Sequence, residues 1–182
     1  IKENGILKVI EGSFVSFGGG ELTVLKNCDE ILNFLIDTGF RNIRINTSGI
    51  KYSNAIENAL KNNFVDVVSS VDAGSSEIYK KIKRVDCFEK VWQNLKKYAQ
   101  SASNKKNVKA KYILIPNIND TKKDLDDFFD CVLKNKLEAV SFSVEKNWSS
   151  DTPENTLVHS DMAKKIYDLL LYAENKAQNL NM

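Results

Sequence analysis

Residues 13–21 read Ser-Phe-Val-Ser-Phe-Gly-Gly-Gly-Glu, an apolar run closed by three glycines and a carboxylate. Glycine lets the backbone turn sharply and lie against a ligand, because no Cβ intervenes. A carboxylate at the end of such a turn accepts hydrogen bonds from an amine held beside it. Similar polar sets close other apolar runs. They are Asn46-Thr47-Ser48-Gly49, Ser69-Ser70-Val71-Asp72-Ala73-Gly74, Pro116-Asn117-Ile118-Asn119-Asp120 behind a run carrying Lys111, and Ser143-Val144-Glu145. A ligand with an ammonium, a carboxylate and several hydroxyls would find a partner for each. Ordinary roles compete with these. The glycines could form a plain turn, and Ser70 and Asp72 could cap the next helix. Lys111 could snorkel from a rim, and Asn117 to Asp120 could be turn and N-cap residues.

The elements that would position these groups are strands alternating with helices. Strands are expected near 13–17, 42–47, 65–71, 108–115 and 139–144. Helices are expected from Asn27 to a stop at Gly39, near 53–62, 75–82 and 86–101, from Asp120-Thr121 onward, and from about 160 to 178. Such alternation means parallel βα units. The strands also alternate in polarity. Ile43 and Ile45 oppose Arg44 and Asn46; Val67 and Val71 oppose Ser70 and Asp72; Ala110, Tyr112 and Leu114 oppose Lys109 and Lys111; Val140, Phe142 and Val144 oppose Ser141, Ser143 and Glu145. In a doubly wound sheet both faces are covered, so central strands read as continuous apolar runs. One polar face instead predicts an incomplete barrel whose interior holds a polar ligand. In parallel βα folds that ligand lies at the C-terminal strand ends.

With 182 residues, 42% hydrophobic and 27% charged, the composition is that of an ordinary globular domain, expected to span residues 1–182. A net charge of +2 is too small to argue for nucleic acid. No apolar run has the length of a membrane span and the first residues carry no signal-peptide pattern, so no membrane segment is expected. Cys28, Cys87 and Cys131 are widely spaced, which argues against a disulfide framework and predicts a reducing, cytoplasmic setting. Each reads as a small apolar residue within a helix or at its start. The single His159 rules out a two-histidine metal site within the chain. The chain starts at Ile1 and runs directly into the apolar stretch Ile6 to Ile10, so a piece of a longer protein is expected.

GGGE, NTSG, SVDAG and IPNIND in order on successive strand ends, with lysine on the fourth strand, resemble the radical S-adenosylmethionine (radical SAM) enzymes. The segment Ser70 to Lys83 is particularly similar to the branch that includes peptide- and small-molecule-modifying members. The resemblance covers residues 13 to about 145. It implies an α/β fold, a partial TIM-like (βα) barrel, with its N-terminal strand/helix unit missing here. It also implies two cofactors, SAM and a [4Fe–4S] cluster that cleaves it to a 5′-deoxyadenosyl radical. Carried over, Gly19, Gly20 and Glu21 would hold the amino group of SAM, and Asn46, Thr47 and Ser48 would lie along it. Ser70 and Asp72 would reach the ribose hydroxyls and methionyl part, Lys111 the carboxylate, and Ile115, Asn117 and Val144 the adenine.

This chain lacks the family's CxxxCxxC cluster loop, whose cysteines are expected upstream of Ile1. The chain alone is therefore expected to be inactive and to hold no cluster. The resemblance further implies an external electron donor and a small-molecule or peptide substrate, with no nucleic acid or membrane partner. Self-association through an exposed barrel edge is expected. Two other readings stand beside this one. The first is a non-catalytic relative that binds or scaffolds. The second is another βα-barrel enzyme acting on a phosphorylated or sugar substrate. That enzyme would want a late glycine loop for phosphate, and residues 145–156 contain no glycine. Trp148 could lean over the barrel mouth or be a plain surface aromatic.

Overall fold

Period-two alternation sends every second strand residue to one face, and the apolar set of this chain must be covered by helices. A computed structural model describes residues 12–145 and 156–182, and side chains from 161 in the second segment. Five strands form one parallel sheet: β1 (Val15–Phe17), β2 (Ile43–Thr47), β3 (Val65–Ser70), β4 (Val108–Leu114) and β5 (Val140–Val144). Their spatial order is the chain order, β1-β2-β3-β4-β5. A doubly wound sheet must reverse its strand order to place helices on both faces. Here the order never reverses, so the crossovers pile on one side and the sheet curls as an open, partial barrel. Among the described residues β1 pairs only with β2, and β5 only with β4.

The helices are α1 (Cys28–Thr38), α2 (Asn54–Lys61), α3 (Ser76–Lys83), α4 (Phe88–Ser101), α5 (Lys122–Lys134) and α6 (Thr156–Asn179). Their ends follow local chemistry. Gly39 takes the left-handed conformation, φ 110°, and its N–H closes α1 onto Ile36 and Leu35 carbonyls. Ser53 caps α2 and Ser75 caps α3 through side-chain oxygens. Thr121 and Asp124 form a reciprocal capping box on α5. Helix α6 begins at Thr156, before the expected 160, and Trp148 with most of its loop lies outside the described residues.

The core lies between the apolar strand parity and the helices. Ile43, Ile45, Val67, Val108, Ala110, Tyr112 and Leu114 are fully or almost fully buried, against Leu32, Ile56, Leu60, Leu95, Phe128 and Phe129. Each such Val, Leu, Ile or Phe side chain contributes about 1.5–3 kcal/mol of transfer free energy. Tyr112 and Phe128 meet edge to face with centroids 4.9 Å apart. Gly74, in the turn after β3, lets the loop press on α5. A Cβ there would lie 2.2 Å from the Phe128 nitrogen.

Candidate functional site

The opposite strand parity makes the concave face. It carries Ser16, Arg44, Asn46, Asp66, Val68, Ser70, Lys109, Lys111, Ile113, Ser141, Ser143 and Glu145, and register brings them side by side. Ser16 pairs with Arg44, Arg44 with Asp66, Ser70 with Lys111, and Lys111 with Ser141. The glycine–glutamate turn, the β2 end and the β3 and β4 turns meet at the C-terminal edge of this face.

Glu21 ties the first two strand ends together. Its Oε1 accepts from the Thr23 hydroxyl at 2.6 Å, the Thr47 hydroxyl at 2.7 Å and the Thr23 N–H at 3.3 Å. Its Oε2 accepts from the Ser48 N–H. Burial pushes the Glu21 carboxyl up, but the hydrogen bonds from Thr23, Ser48 and Thr47 outweigh it, so the net shift is downward and the group stays ionised. Oε2 keeps capacity for one further donor. Beside it Gly18, Gly19 and Gly20 are exposed, with Gly19 at φ 80°. A Cβ on Gly20 would meet nothing within 4 Å, so the structure leaves open backbone there.

Asp72 ties the next two ends together. The residue is only 2% exposed and takes the left-handed conformation at φ 60°. Its Oδ1 accepts from the Ile113 N–H at 2.8 Å, and its Oδ2 lies 2.5 Å from the Lys83 ammonium. Asn119, fully buried, completes the joint. Its Nδ2 donates to the carbonyls of Asp72 and Ile113, and its Oδ1 accepts from the Ile115 N–H at 2.7 Å. The Asn119 carbonyl in turn accepts from the Tyr112 hydroxyl at 2.7 Å.

The sequence-predicted residues therefore divide. Gly19, Gly20, Glu21, Ser48, Ser70, Lys111, Ile115 and Asn117 lie along the open rim or the concave face. The Ser70 hydroxyl and the Lys111 ammonium engage no described side chain, and Asn117 is exposed at φ 63°. Asn46 lies on the same face but its amide donates to the Phe17 carbonyl at 2.9 Å. Three residues stand elsewhere. Thr47 shares the parity of Ile43 and Ile45, is buried, and uses its hydroxyl for Glu21 and the Gly49 N–H. Asp72 is engaged on both oxygens within the protein. Val144 is in register with Leu114 and packs on the helix side. Ser70 and Asp72 do not cap α3 either, since Ser75 does.

Sequence reasoning passed over Lys83 and Asn119 as partners of the rim. Asn119 was visible only as one of several turn residues. Lys83 carried no signal, because its partner lies 11 positions away across a loop.

The donor set fits an amino-acid-bearing nucleoside such as SAM: open glycine backbone and a spare carboxylate lone pair for an ammonium, Lys111 for a carboxylate, Ser70 for a hydroxyl. It does not fit an iron–sulfur cluster. Cys28 is buried at the start of α1, and burial raises its thiol pKa. Cys131 is pushed up to about 11 by burial, and its Sγ donates to the Gly74 carbonyl at 3.3 Å. Among the described residues no three metal-ligating side chains come together.

The family model for the radical SAM superfamily matches residues 3–130, and the chain belongs to that superfamily. No curated protein matches it by sequence. Solved structures share the fold at low identity. SuiB of Streptococcus suis bound to its precursor peptide SuiA superposes with a TM-score of 0.61 at 14% identity, over 75% of this chain and 29% of that one. SuiB bound to S-adenosylmethionine gives 0.59 at 13%, over 90% and 37%. A domain of pyruvate-formate lyase-activating enzyme from Bacteroides vulgatus gives 0.55 at 14%, over 86% and 94%. The chain thus spans about a third of the length of the SuiB chains it resembles. No helix among the described residues is long and apolar enough to cross a membrane.

Proposed function

We propose that this chain is the SAM-binding core of a radical SAM enzyme. The observation that carries the reading is the convergence, at one edge of a parallel sheet, of open glycine backbone, a Glu21 carboxylate with a spare acceptor site, the Ser70 hydroxyl and a Lys111 ammonium that pairs with no carboxylate among the described residues. Reductive cleavage of bound SAM by a [4Fe–4S] cluster supplies a 5′-deoxyadenosyl radical in this family, and the cluster ligands are proposed to lie outside these 182 residues.

The chain's own residues bind and orient. Gly19 and Gly20 present backbone to the ammonium of the methionyl group, and Glu21 holds the turn while offering Oε2 to the same ammonium. Lys111 pairs with the carboxylate. Ser70 donates or accepts at the ribose, and Ile115 and Asn117 form the side on which adenine rests. Thr47, Asp72 and Asn119 fix these groups without touching the ligand.

Titration of the chain with methyl-13C SAM, followed by NMR, tests the reading. Saturable binding that Lys111→Met weakens about tenfold is the expected result. Absence of saturable binding overturns it. In the full-length protein, formation of 5′-deoxyadenosine on reduction is the corresponding expectation for activity.

A further inference from the structure

Behind the rim, the concave face carries more positive charge than it can neutralise. Among the described residues Asp66 is the one carboxylate on this face below the rim, Glu145 standing at the β5 end, and two cations share it: Arg44 Nη2 at 3.5 Å and Lys109 Nζ at 3.9 Å. Both distances are long, and the Arg44 Nε is shielded from solvent with no hydrogen-bond partner. The Arg44 side chain is nonetheless 43% exposed and its terminal guanidinium nitrogens make one long contact, to Asp66, so the fork has reachable N–H donors for a second, planar or tetrahedral anion. The Phe14 ring covers the same guanidinium at 5.5 Å, so one side of the group is apolar. Three nearby rim carboxylates are engaged elsewhere, and Glu145 lies at the β5 end, beyond the level of Lys111. Glu21 faces Thr23, Thr47 and Ser48; Asp72 faces Lys83; Asp120 faces Lys165 at 2.6 Å.

Lys109 and Lys111 stand on one face of β4, two residues or about 6.5 Å apart along the strand. Lys111 is at the level of Ser70, and Lys109 at that of Val68, one step farther from the rim. If Lys111 takes the SAM carboxylate, the Arg44–Asp66–Lys109 group keeps a surplus positive charge deeper in the barrel. We infer that this group is a second anion subsite, and that the substrate of this protein carries a carboxylate or phosphate which enters the barrel past the cofactor. The inference rests on the proposed function for the role of Lys111, but the subsite itself can be tested alone.

The test is calorimetric titration of the full chain with glutarate and, separately, with inorganic phosphate, using putrescine as the cationic control. Binding of glutarate or phosphate but not putrescine is expected, weakened at least about tenfold in Lys109→Gln and in Arg44→Gln. It should be kept in Lys109→Arg and in Lys106→Gln, an exposed lysine off the face. A preference between the two anions identifies the group the substrate carries. Lack of binding by either anion overturns the subsite, as does binding unchanged in both charge-removing variants or stronger binding of putrescine. Repeating the titration with SAM present separates the two ideas. Saturable SAM binding without an anion site sinks the subsite alone, whereas an anion site without SAM binding sinks the cofactor reading alone.

Discussion

Glu21 and Asp72 are two of the carboxylates that sequence places at strand ends, and they have different fates. Glu21 sits half-exposed on the β1–β2 rim, held by hydroxyl and backbone donors, with one acceptor direction open. Asp72 sits buried between β3 and β4, where it accepts from the Ile113 N–H and pairs with Lys83. It replaces a strand bond that the turning backbone cannot make. The same functional group is part ligand site in one place and wholly framework in the other. What separates them is whether a charged partner from a neighbouring helix can reach the carboxylate. The two glycine turns differ in the same way. Gly19 and Gly20 face open space, whereas Gly74 is closed against the α5 backbone.

The sharpest test of this contrast sets Gly74→Ala against Gly20→Ala. The first forces a Cβ into the Phe128 backbone and should cost about 3 kcal/mol or more, seen as a lower urea midpoint. The second should change stability by less than about 0.5 kcal/mol yet weaken SAM binding. Equal effects on stability would erase the distinction. Asp72→Ala should cost about 3 kcal/mol, because it strands Lys83 and the part-buried Ile113 N–H and puts alanine at φ 60°. Asp72→Asn keeps the acceptor and tolerates that conformation, so about half the loss should return. Lys111→Met, by contrast, should leave the urea midpoint within about 0.5 kcal/mol while weakening SAM binding, since no described carboxylate depends on it.

The smallest effects are those of pH. The folded-state pKa of Glu21 is lowered, so its contribution is complete above the ordinary carboxylate range and fades as pH falls through and below it. Glu57, in α2, is lowered to about 2 by hydrogen bonds from Lys61, Ser101 and Tyr52, and its contribution is lost between about pH 4.5 and 2. Being near the surface, it should account for less than about 1 kcal/mol. Thermal midpoints from pH 5 to 2.5 should fall less steeply in Glu57→Gln than in the parent chain.

Much of this was legible in the residues. Strand–helix alternation predicted the parallel sheet, and period-two alternation in Ile43–Thr47 and Val108–Leu114 predicted the polar face, because period two is a property of the backbone. The strand-end motifs marked the rim for the same reason. Parity also contained the answer for Thr47 and Val144, which share the side of Ile45 and Tyr112, but their closeness to polar neighbours in sequence drew attention to the rim. Lys83 and Asn119 were beyond reach. Their roles depend on loops folding back over distances that no short-range pattern encodes.

Sequence alone determined which elements form, where they end and which face of each is apolar, since these follow from local propensity, caps and side-chain alternation. Tertiary structure alone decided which polar groups stay free. Strand curvature and loop closure place Lys83 on Asp72 and Thr47 on Glu21, while Lys111, Arg44 and Lys109 are left facing the barrel. A hydrogen bond or ion pair between distant residues depends on a few tenths of an ångström in three dimensions, and only the folded chain sets that distance.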